Sequence, residues 1–269
     1  MTNTFRTLDH ADVKGQRVLM RVDLNVPYEN GVVSDATRIE RTAPSITELA
    51  DKGAKVILLS HFGRPKGPNP KDSLKAVAAE VAHTIKRPIK FVGDCIGDEA
   101  ERAVGAMKAG DILCLENTRF HAGEEKNDPE FIAQLAKLGD LYVNDAFSVS
   151  HRAHASTEGL SRVLPAFAGR TLQAELEAFE KVLDKPERPL VAIVGGAKIS
   201  TKLDLLGNLL ARVDVLVIGG AMANTFLMAQ GKAVGRSLVE RDLIDTAQKI
   251  MDQAAVNKRQ ILLPVDAVV

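Results

Sequence analysis

The sequence predicts an α/β fold built on doubly wound parallel sheet, and three observations carry that expectation. Short β-branched apolar runs recur along the 269 residues, helical periods separate them, and polar residues crowd the positions just after the runs. Arg17-Val-Leu-Met-Arg-Val22, Lys55-Val-Ile-Leu-Leu-Ser60, Asp111-Ile-Leu-Cys-Leu115 and Leu141-Tyr-Val143 read as strands buried on both faces. Between them, Ser45 and Glu48 have the spacing of a capping box, with Gly53 as the stop. Leu74, Val77, Ala78, Val81, Ala82 and Ile85 keep the period of an amphipathic helix, and Asp128-Pro129 opens a helix that Gly139 ends.

A second series follows a break at Leu164-Pro-Ala-Phe-Ala-Gly-Arg170, where a Pro and a Gly precede a helical stretch from Thr171 to about Asp184 that would join two domains. Strands are expected at Leu190-Val-Ala-Ile-Val194 and Val213-Asp-Val-Leu-Val-Ile218, helices after Ser200 and from about Glu240 to Ala255, and a final apolar run from Ile261 to Val269. That run stops inside a strand-like pattern, so the sequence is expected to be cut short and its second unit incomplete.

Composition excludes several classes. Lys+Arg 35 balance Asp+Glu 35, and the balance holds along the chain, with 22 basic and 23 acidic side chains in residues 1–165 and 13 and 12 in residues 166–269. Neither a nucleic acid nor a membrane surface is an expected partner. Trp is absent and Tyr is limited to Tyr28 and Tyr142, which leaves little surface for stacking bases. Apolar stretches such as Val215 to Ala223 fall far short of the ~20 residues of a transmembrane helix. No apolar leader follows Met1, and Cys95 and Cys114 lack CxxC spacing, so buried thiols in a reducing cytoplasm are expected rather than a disulfide or a metal site.

In an open parallel sheet, ligands bind beyond the carboxyl ends of the strands. Asp23 and Asn25 follow the first run on one face, while Val22, Leu24 and Val26 take the other. His61 and Arg64 follow the second, Arg119 and His121 the third, and Asn144-Asp-Ala-Phe-Ser-Val-Ser-His-Arg152 the fourth. Arginines at consecutive strand ends point to an anionic small molecule, because guanidinium forks suit phosphate and carboxylate. Asp23 and Asn25 would supply acceptors for a hydroxyl, or form a strand-end Asx turn. In the second unit, Val194-Gly-Gly-Ala-Lys-Ile-Ser-Thr-Lys202 reads as strand, glycine turn and helix start, with Ser200 as N-cap and Lys198 and Lys202 four apart near the anion-attracting terminus. Gly219-Gly220-Ala221 offers a second open backbone edge, or simply a turn. Neither a Walker A loop nor G-x-G-x-x-G is present, which counts against a nicotinamide dehydrogenase. His151 and His154 lack partners for a metal set and read as packing residues, and no covalent nucleophile is evident.

Six blocks carry a resemblance. Arg21-Val-Asp-Leu-Asn-Val-Pro27, Ser60-His-Phe-Gly-Arg-Pro-Lys-Gly67, Leu115-Glu-Asn-Thr-Arg-Phe-His-Ala-Gly-Glu-Glu125, Asn144 to His154, Gly195-Gly-Ala-Lys-Ile-Ser-Thr-Lys202 and Gly219-Gly-Ala-Met-Ala-Asn-Thr-Phe226 are similar, in the same order, to the motifs of the phosphoglycerate kinases. Phe62 and Ala221 depart from the commoner family residues. The resemblance implies two Rossmann-like doubly wound parallel-sheet domains, the second incomplete here: 1–165 for 3-phosphoglycerate, 166–185 as hinge and connecting helix, and 186–269 as part of a nucleotide-binding domain. The hinge itself is expected at Pro165 to Leu172. A carboxyl-acceptor phosphotransferase is implied, acting reversibly between 1,3-bisphosphoglycerate and ADP, in the cytoplasm and as a monomer. Asp23, Asn25, Arg38, His61, Arg64, Arg119 and Arg152 would bind the triose, with Arg38 facing the transferring group. Lys198 would stabilise the phosphoryl in flight, Lys202 would hold nucleotide phosphates, and Gly195, Gly196, Gly219 and Gly220 would border the adenosine. Mg2+ would arrive with ATP or ADP. The family's protein ligand for it belongs to a Gly-Gly-Asp-Ser/Thr segment that residues 1–269 do not contain, so no metal ligand is assigned among them. The alternative is a catalytically impaired fragment that binds 3-phosphoglycerate.

Overall fold

The structure, a computed structural model, describes residues 5–29, 32–183 and 186–266. The chain divides into two compact units, Met1–Glu177 and Ala178–Val269. In chain order the first contains β1 (Arg17–Arg21), a hairpin of β2 (Tyr28–Glu29) and β3 (Val32–Val33), α1 (Thr37–Asp51), β4 (Lys55–Leu59), α2 (Lys75–Ile85), β5 (Lys90–Val92), α3 (Gly97–Gly105) and β6 (Ile112–Leu115). It continues with α4 (Pro129–Ala136), β7 (Leu141–Asn144), α5 (Leu160–Val163), β8 (Ala166–Ala168) and the start of α6 (Arg170–Leu183).

Among the described residues these strands form one six-stranded sheet, β5-β6-β4-β1-β7-β8, with every neighbouring pair parallel. Strand alternation gives the sheet two buried faces. Val18, Met20, Val56 and Leu58 pack with Ile39, Ile46, Leu49, Val77 and Val81 of α1 and α2. Leu19, Ile57, Leu113 and Leu115 pack with Ala100, Val104, Phe131 and Leu135 of α3 and α4. Each fully buried aliphatic side chain contributes about 1.5–3 kcal/mol. Arg21 pairs in register with both Leu59 and Asn144, so the exits of β1, β4 and β7 lie side by side, at the point where the strand order reverses.

The structure corrects several expectations. Ser45 and Glu48 do not cap a helix. α1 begins at Thr37, where the Asp35 carboxylate accepts the Thr37 amide at 2.8 Å, and runs on through Pro44. Ser45 and Glu48 instead serve Arg170: the Ser45 hydroxyl accepts its amide at 2.9 Å, and Glu48 takes its guanidinium at 2.6 and 2.7 Å. The Leu164–Arg170 break contains β8, which pairs with β7 through Tyr142↔Ala166 to Asn144↔Ala168. Two helix boundaries agree with their signals, while α4 ends at Ala136, three residues short of Gly139. Gly53, at φ 80°, follows α1, and Asp128 caps α4 with Pro129 in its first turn. Cys95 and Cys114 are free and buried, as expected.

The second unit contains the remainder of α6, β9 (Val191–Gly195), α7 (Leu203–Leu210), β10 (Val215–Gly219), α8 (Gly220–Ala229), α9 (Ile244–Val256) and β11 (Gln260–Leu262). Its parallel sheet is ordered β11-β10-β9, and Val194, Leu206, Leu216, Ile218, Met222 and Phe226 lie in its core. Val191 and Ile193 of β9 stay exposed, Ile193 at 78%. The expected end of α6 at Asp184 and the last three residues of the terminal run lie outside the described residues.

Candidate functional site

The first unit's rim is built on Arg21, the last residue of β1. A charge inside an apolar run is costly to bury unless its donors are used, and here they are. Nε donates to the Ser156 hydroxyl at 2.9 Å, Nη1 to the Val22 carbonyl, and Nη2 to His61 Nδ1 at 3.0 Å. Behind Ser156 stands the buried carboxylate of Glu124, which accepts its hydroxyl at 2.5 Å and its amide at 2.9 Å. A guanidinium has donors only, so His61 Nδ1 is the acceptor and the ring proton sits on Nε2. Burial, followed by the positive charges of Arg21, Arg119 and Arg152, pushes the His61 imidazole down to about 2. His61 is therefore a neutral donor at physiological pH.

The same fields report which residues the fold gathers. Arg119 is lowered by burial and by Arg152 and Arg21, partly offset by Glu125, whose carboxylate lies 3.0 Å from its Nε. Its Nη1 donates to the Gly63 carbonyl at 2.8 Å. His154 is lowered by burial, with Arg119 and Arg152 adding to the effect. His61, Arg119 and Arg152 thus lie within reach of one another's charge, with Arg21 behind His61.

Asp23 forms the strand-end Asx turn that was one of its two readings. One oxygen accepts the Asn25 amide at 3.1 Å, an Asx turn; the other is shared by Arg38 Nη1 and the Ser148 hydroxyl, the latter at 2.5 Å. The Asn25 amide oxygen accepts the Gly63 amide at 2.8 Å, tying the β1 exit to the β4 exit. Arg38, whose side chain is 49% exposed, sits on the first turn of α1. Asp23 and Arg38 line a cleft of about 230 Å³ together with Arg41, Ser148, Thr171 and Glu175. Arg64 is exposed, and no hydrogen bond or ion pair holds its side chain among the described residues.

Three residues with supporting parts had no signal of their own. Asn117 is fully buried and uses its whole amide: Oδ1 accepts the Phe62 and Arg119 amides at 3.2 and 3.1 Å, and Nδ2 donates to the Phe62 and Asp72 carbonyls at 2.7 and 2.9 Å. Glu116 accepts the Ser73 hydroxyl and the Leu74 and Asn117 amides. Asp145, after β7, accepts the Thr171 and Leu172 amides at 2.8 and 3.1 Å in the first turn of α6, and its second oxygen is buried with no hydrogen-bond partner among the described residues.

In the second unit, Gly195 and Gly219 are register partners at the sheet's C-terminal edge. Gly220 has φ 67°, and a Cβ there would lie 2.9 Å from the Gly196 carbonyl oxygen, so both the backbone angle and the close approach require glycine. This turn opens α8, whose N-terminal amides have no side-chain cap. Ser200, however, is not an N-cap. α7 starts at Leu203, with Lys202 at the cap position and its ammonium donating to the Gly195 carbonyl at 2.8 Å. The Ser200 hydroxyl donates to Glu240 at 2.5 Å, and the Glu240 carboxylate also accepts the Ile199 and Ser200 amides at 2.5 and 3.3 Å. The loop's anion-attracting amides are thus occupied by a carboxylate that the sequence reading did not single out. Lys198 is exposed, with the Glu240 charge nearby.

The profile of the phosphoglycerate kinase family matches residues 8–269. The chain is 65% identical over 269 residues to the phosphoglycerate kinase of Bradyrhizobium diazoefficiens, covering all of this chain and 68% of that protein. It is 65% identical over 266 residues to that of Brucella abortus, covering 98% and 67%. Its structure superposes on phosphoglycerate kinase from Coxiella burnetii with a TM-score of 0.87 at 39% identity, covering 97% of this chain and 66% of that one. For the enzyme from Pyrococcus horikoshii the TM-score is 0.82 at 29% identity, covering 97% and 67%. The chain spans about two thirds of the length of these relatives. Among the described residues no helix is long and apolar enough to cross a membrane.

Proposed function

The chain belongs to the phosphoglycerate kinase family, and from that premise we propose that its first unit holds the phosphorylated three-carbon acid and its second the nucleotide. The family's members are phosphotransferases that move a phosphoryl group reversibly between 1,3-bisphosphoglycerate and ADP. The observation that carries the assignment of the triose is the gathering of Arg119 and Arg152 about neutral His61, backed by buried Arg21. Two guanidinium forks suit a phosphate and a carboxylate, and His61 Nε2–H and Asn25 suit neutral oxygens. Arg64, exposed and unengaged, completes the cationic rim.

The acceptor in the ATP-consuming direction is a carboxylate, already ionised at neutral pH, so the reaction needs no general base. What it needs is in-line alignment, exclusion of water and positive charge where the transferring group carries negative charge. Arg38 fits that need from the triose side, since its ion pair with Asp23 leaves it half-exposed. Lys198 would meet the transferring phosphoryl, Lys202 would hold nucleotide phosphates, and Gly195, Gly196, Gly219 and Gly220 give a side-chain-free edge for adenosine. Mg2+ would arrive bound to the nucleotide substrate. The domain division at 1–165, 166–185 and 186–269, with a hinge near Pro165 to Leu172, the monomeric state and the cytoplasmic location belong to the same proposal.

Two measurements on the 269-residue chain test it. Calorimetry with 3-phosphoglycerate should give saturable binding that Arg119→Ala and Arg152→Ala each weaken, and a coupled assay should detect ATP-dependent phosphorylation of 3-phosphoglycerate. Binding without turnover would favour the binding-fragment reading, and absence of binding would remove the triose assignment.

A further inference from the structure

We propose that Asp94, Cys95 and His121 form a site for one divalent cation of the zinc type, apart from the arginine cluster. Asp94 and Cys95 lie in the turn after β5, and His121 lies in the segment after β6. Those strands are neighbours, paired through Val92↔Leu115, so the two exits bring the three side chains together. A carboxylate oxygen, a thiol sulfur and an imidazole nitrogen lie within 4.8 Å of one another. A cation held at roughly 2.0–2.3 Å from each donor needs the donors about 3.3–3.8 Å apart, so the His121–Asp94 pair at 2.7 Å must open to admit it.

Supporting contacts fix the donors. His121 Nε2 lies 2.7 Å from Asp94 Oδ1, and its ring stacks on Phe131 with centroids 5.2 Å apart at 26°. Asp94 Oδ1 also accepts the Cys95 and Ile96 amides at 2.6 and 3.4 Å. The ring stacking and the two amides orient the donors, while the Nε2–Oδ1 contact is the one a cation would take over. Cys95 is buried, and the partly exposed Asp94 and His121 border a cleft of about 360 Å³ whose walls include Ser73, Glu116 and Asn117. The cleft gives an entry path and leaves room for a water as fourth ligand.

The donor set chooses the ion. Sulfur, nitrogen and oxygen together suit zinc or cobalt, whereas Mg2+ and Ca2+ take all-oxygen shells. A cation would displace the Cys95 thiol proton to solvent, and the His121 ring proton would move to Nδ1 so that Nε2 can bind the metal.

Cobalt(II) is the probe, added to the reduced, chelator-treated 269-residue chain. The expected result is one Co2+ per chain with a thiolate-to-metal absorption band that excess Zn2+ abolishes and excess Mg2+ leaves in place. Cys95→Ala should remove the band and Cys114→Ala should keep it. Asp94→Asn retains the acceptor for the two amides, so its fold is safe even where Cys95→Ala fails to fold, and it should weaken Co2+ at least tenfold. No thiolate band at saturating Co2+, a band that survives Cys95→Ala, or unweakened binding in Asp94→Asn would each overturn the site.

Discussion

Arg21 Nη2 and His61 Nδ1 face each other at 3.0 Å inside the first unit, and this contact decides the state of the histidine. The guanidinium needs an acceptor, so the imidazole stays neutral with its proton on Nε2. NMR of the ring nitrogens should find that tautomer and no His61 titration between about pH 5 and 8. The sign of the stability effect follows. The unfolded ring binds a proton below its ordinary 6.5 and the folded ring only near about 2, so this contribution is complete above 6.5 and is lost as pH falls from there towards 2. A His61 resonance that titrates near 6.5 in the folded protein would contradict the contact.

Arg38→Ala should lower kcat about a hundredfold, the usual effect of losing one preorganised donor. Arg38 is half-exposed, and among the described residues its ion pair is with Asp23, so stability should change by less than about 1 kcal/mol. Turnover and thermal melting on the same preparation separate the two effects, and near-normal turnover would remove Arg38 from the reaction.

Lys198 and Lys202 should separate in kinetics. Lys198 is exposed and meets the transferring group only in the reaction, so Lys198→Ala should lower kcat about a hundredfold with little change in nucleotide affinity. Lys202 is already oriented by the Gly195 carbonyl, and Lys202→Ala should mainly weaken ADP, by about tenfold for one lost charge-assisted contact. Calorimetry with ADP beside steady-state kinetics distinguishes the pattern from its reverse.

Asp145 sets the opposite pH slope to His61. Burial raises its carboxyl to about 6 despite the two amides it accepts. The folded state therefore holds a proton that the unfolded state has released above 3.8, and this group's contribution falls as pH rises from about 4 to about 6. Asp145→Asn keeps the acceptor and removes the charge. Relative to the parent it should gain stability at pH 7.5, by at most about 3 kcal/mol, with the gain shrinking towards pH 4. Denaturant melts at both pH values check the sign.

Much of the fold was legible because parallel strands announce themselves as continuous apolar runs. The strands that escaped, β2, β3, β5 and β8, have two or three residues each, too few for any period, and β8 is framed by Pro165 and Gly169, which read as a break. The capping box at Ser45 and Glu48 misled for another reason. Both residues have a partner 122 or 125 positions away in Arg170, and a local spacing rule cannot register a distant one. At the site, strand-end arginines were visible because position alone marks them. Arg21 had a signal too, a charge inside the run Arg17 to Val22, whereas Asn117 and Glu240 act through backbone groups that no side-chain pattern encodes.

Asn117 has one consequence worth following. Its single amide group is bonded at both ends, to Phe62 beside His61 and to Arg119. The tips of two strands therefore move as one piece, and a ligand seized by the histidine side is presented to the arginine side with no second segment left to freeze, so less of the encounter energy goes into ordering the protein. An aspartate there could satisfy the acceptor half of this coupling but not the donor half, and the two tips would become independent.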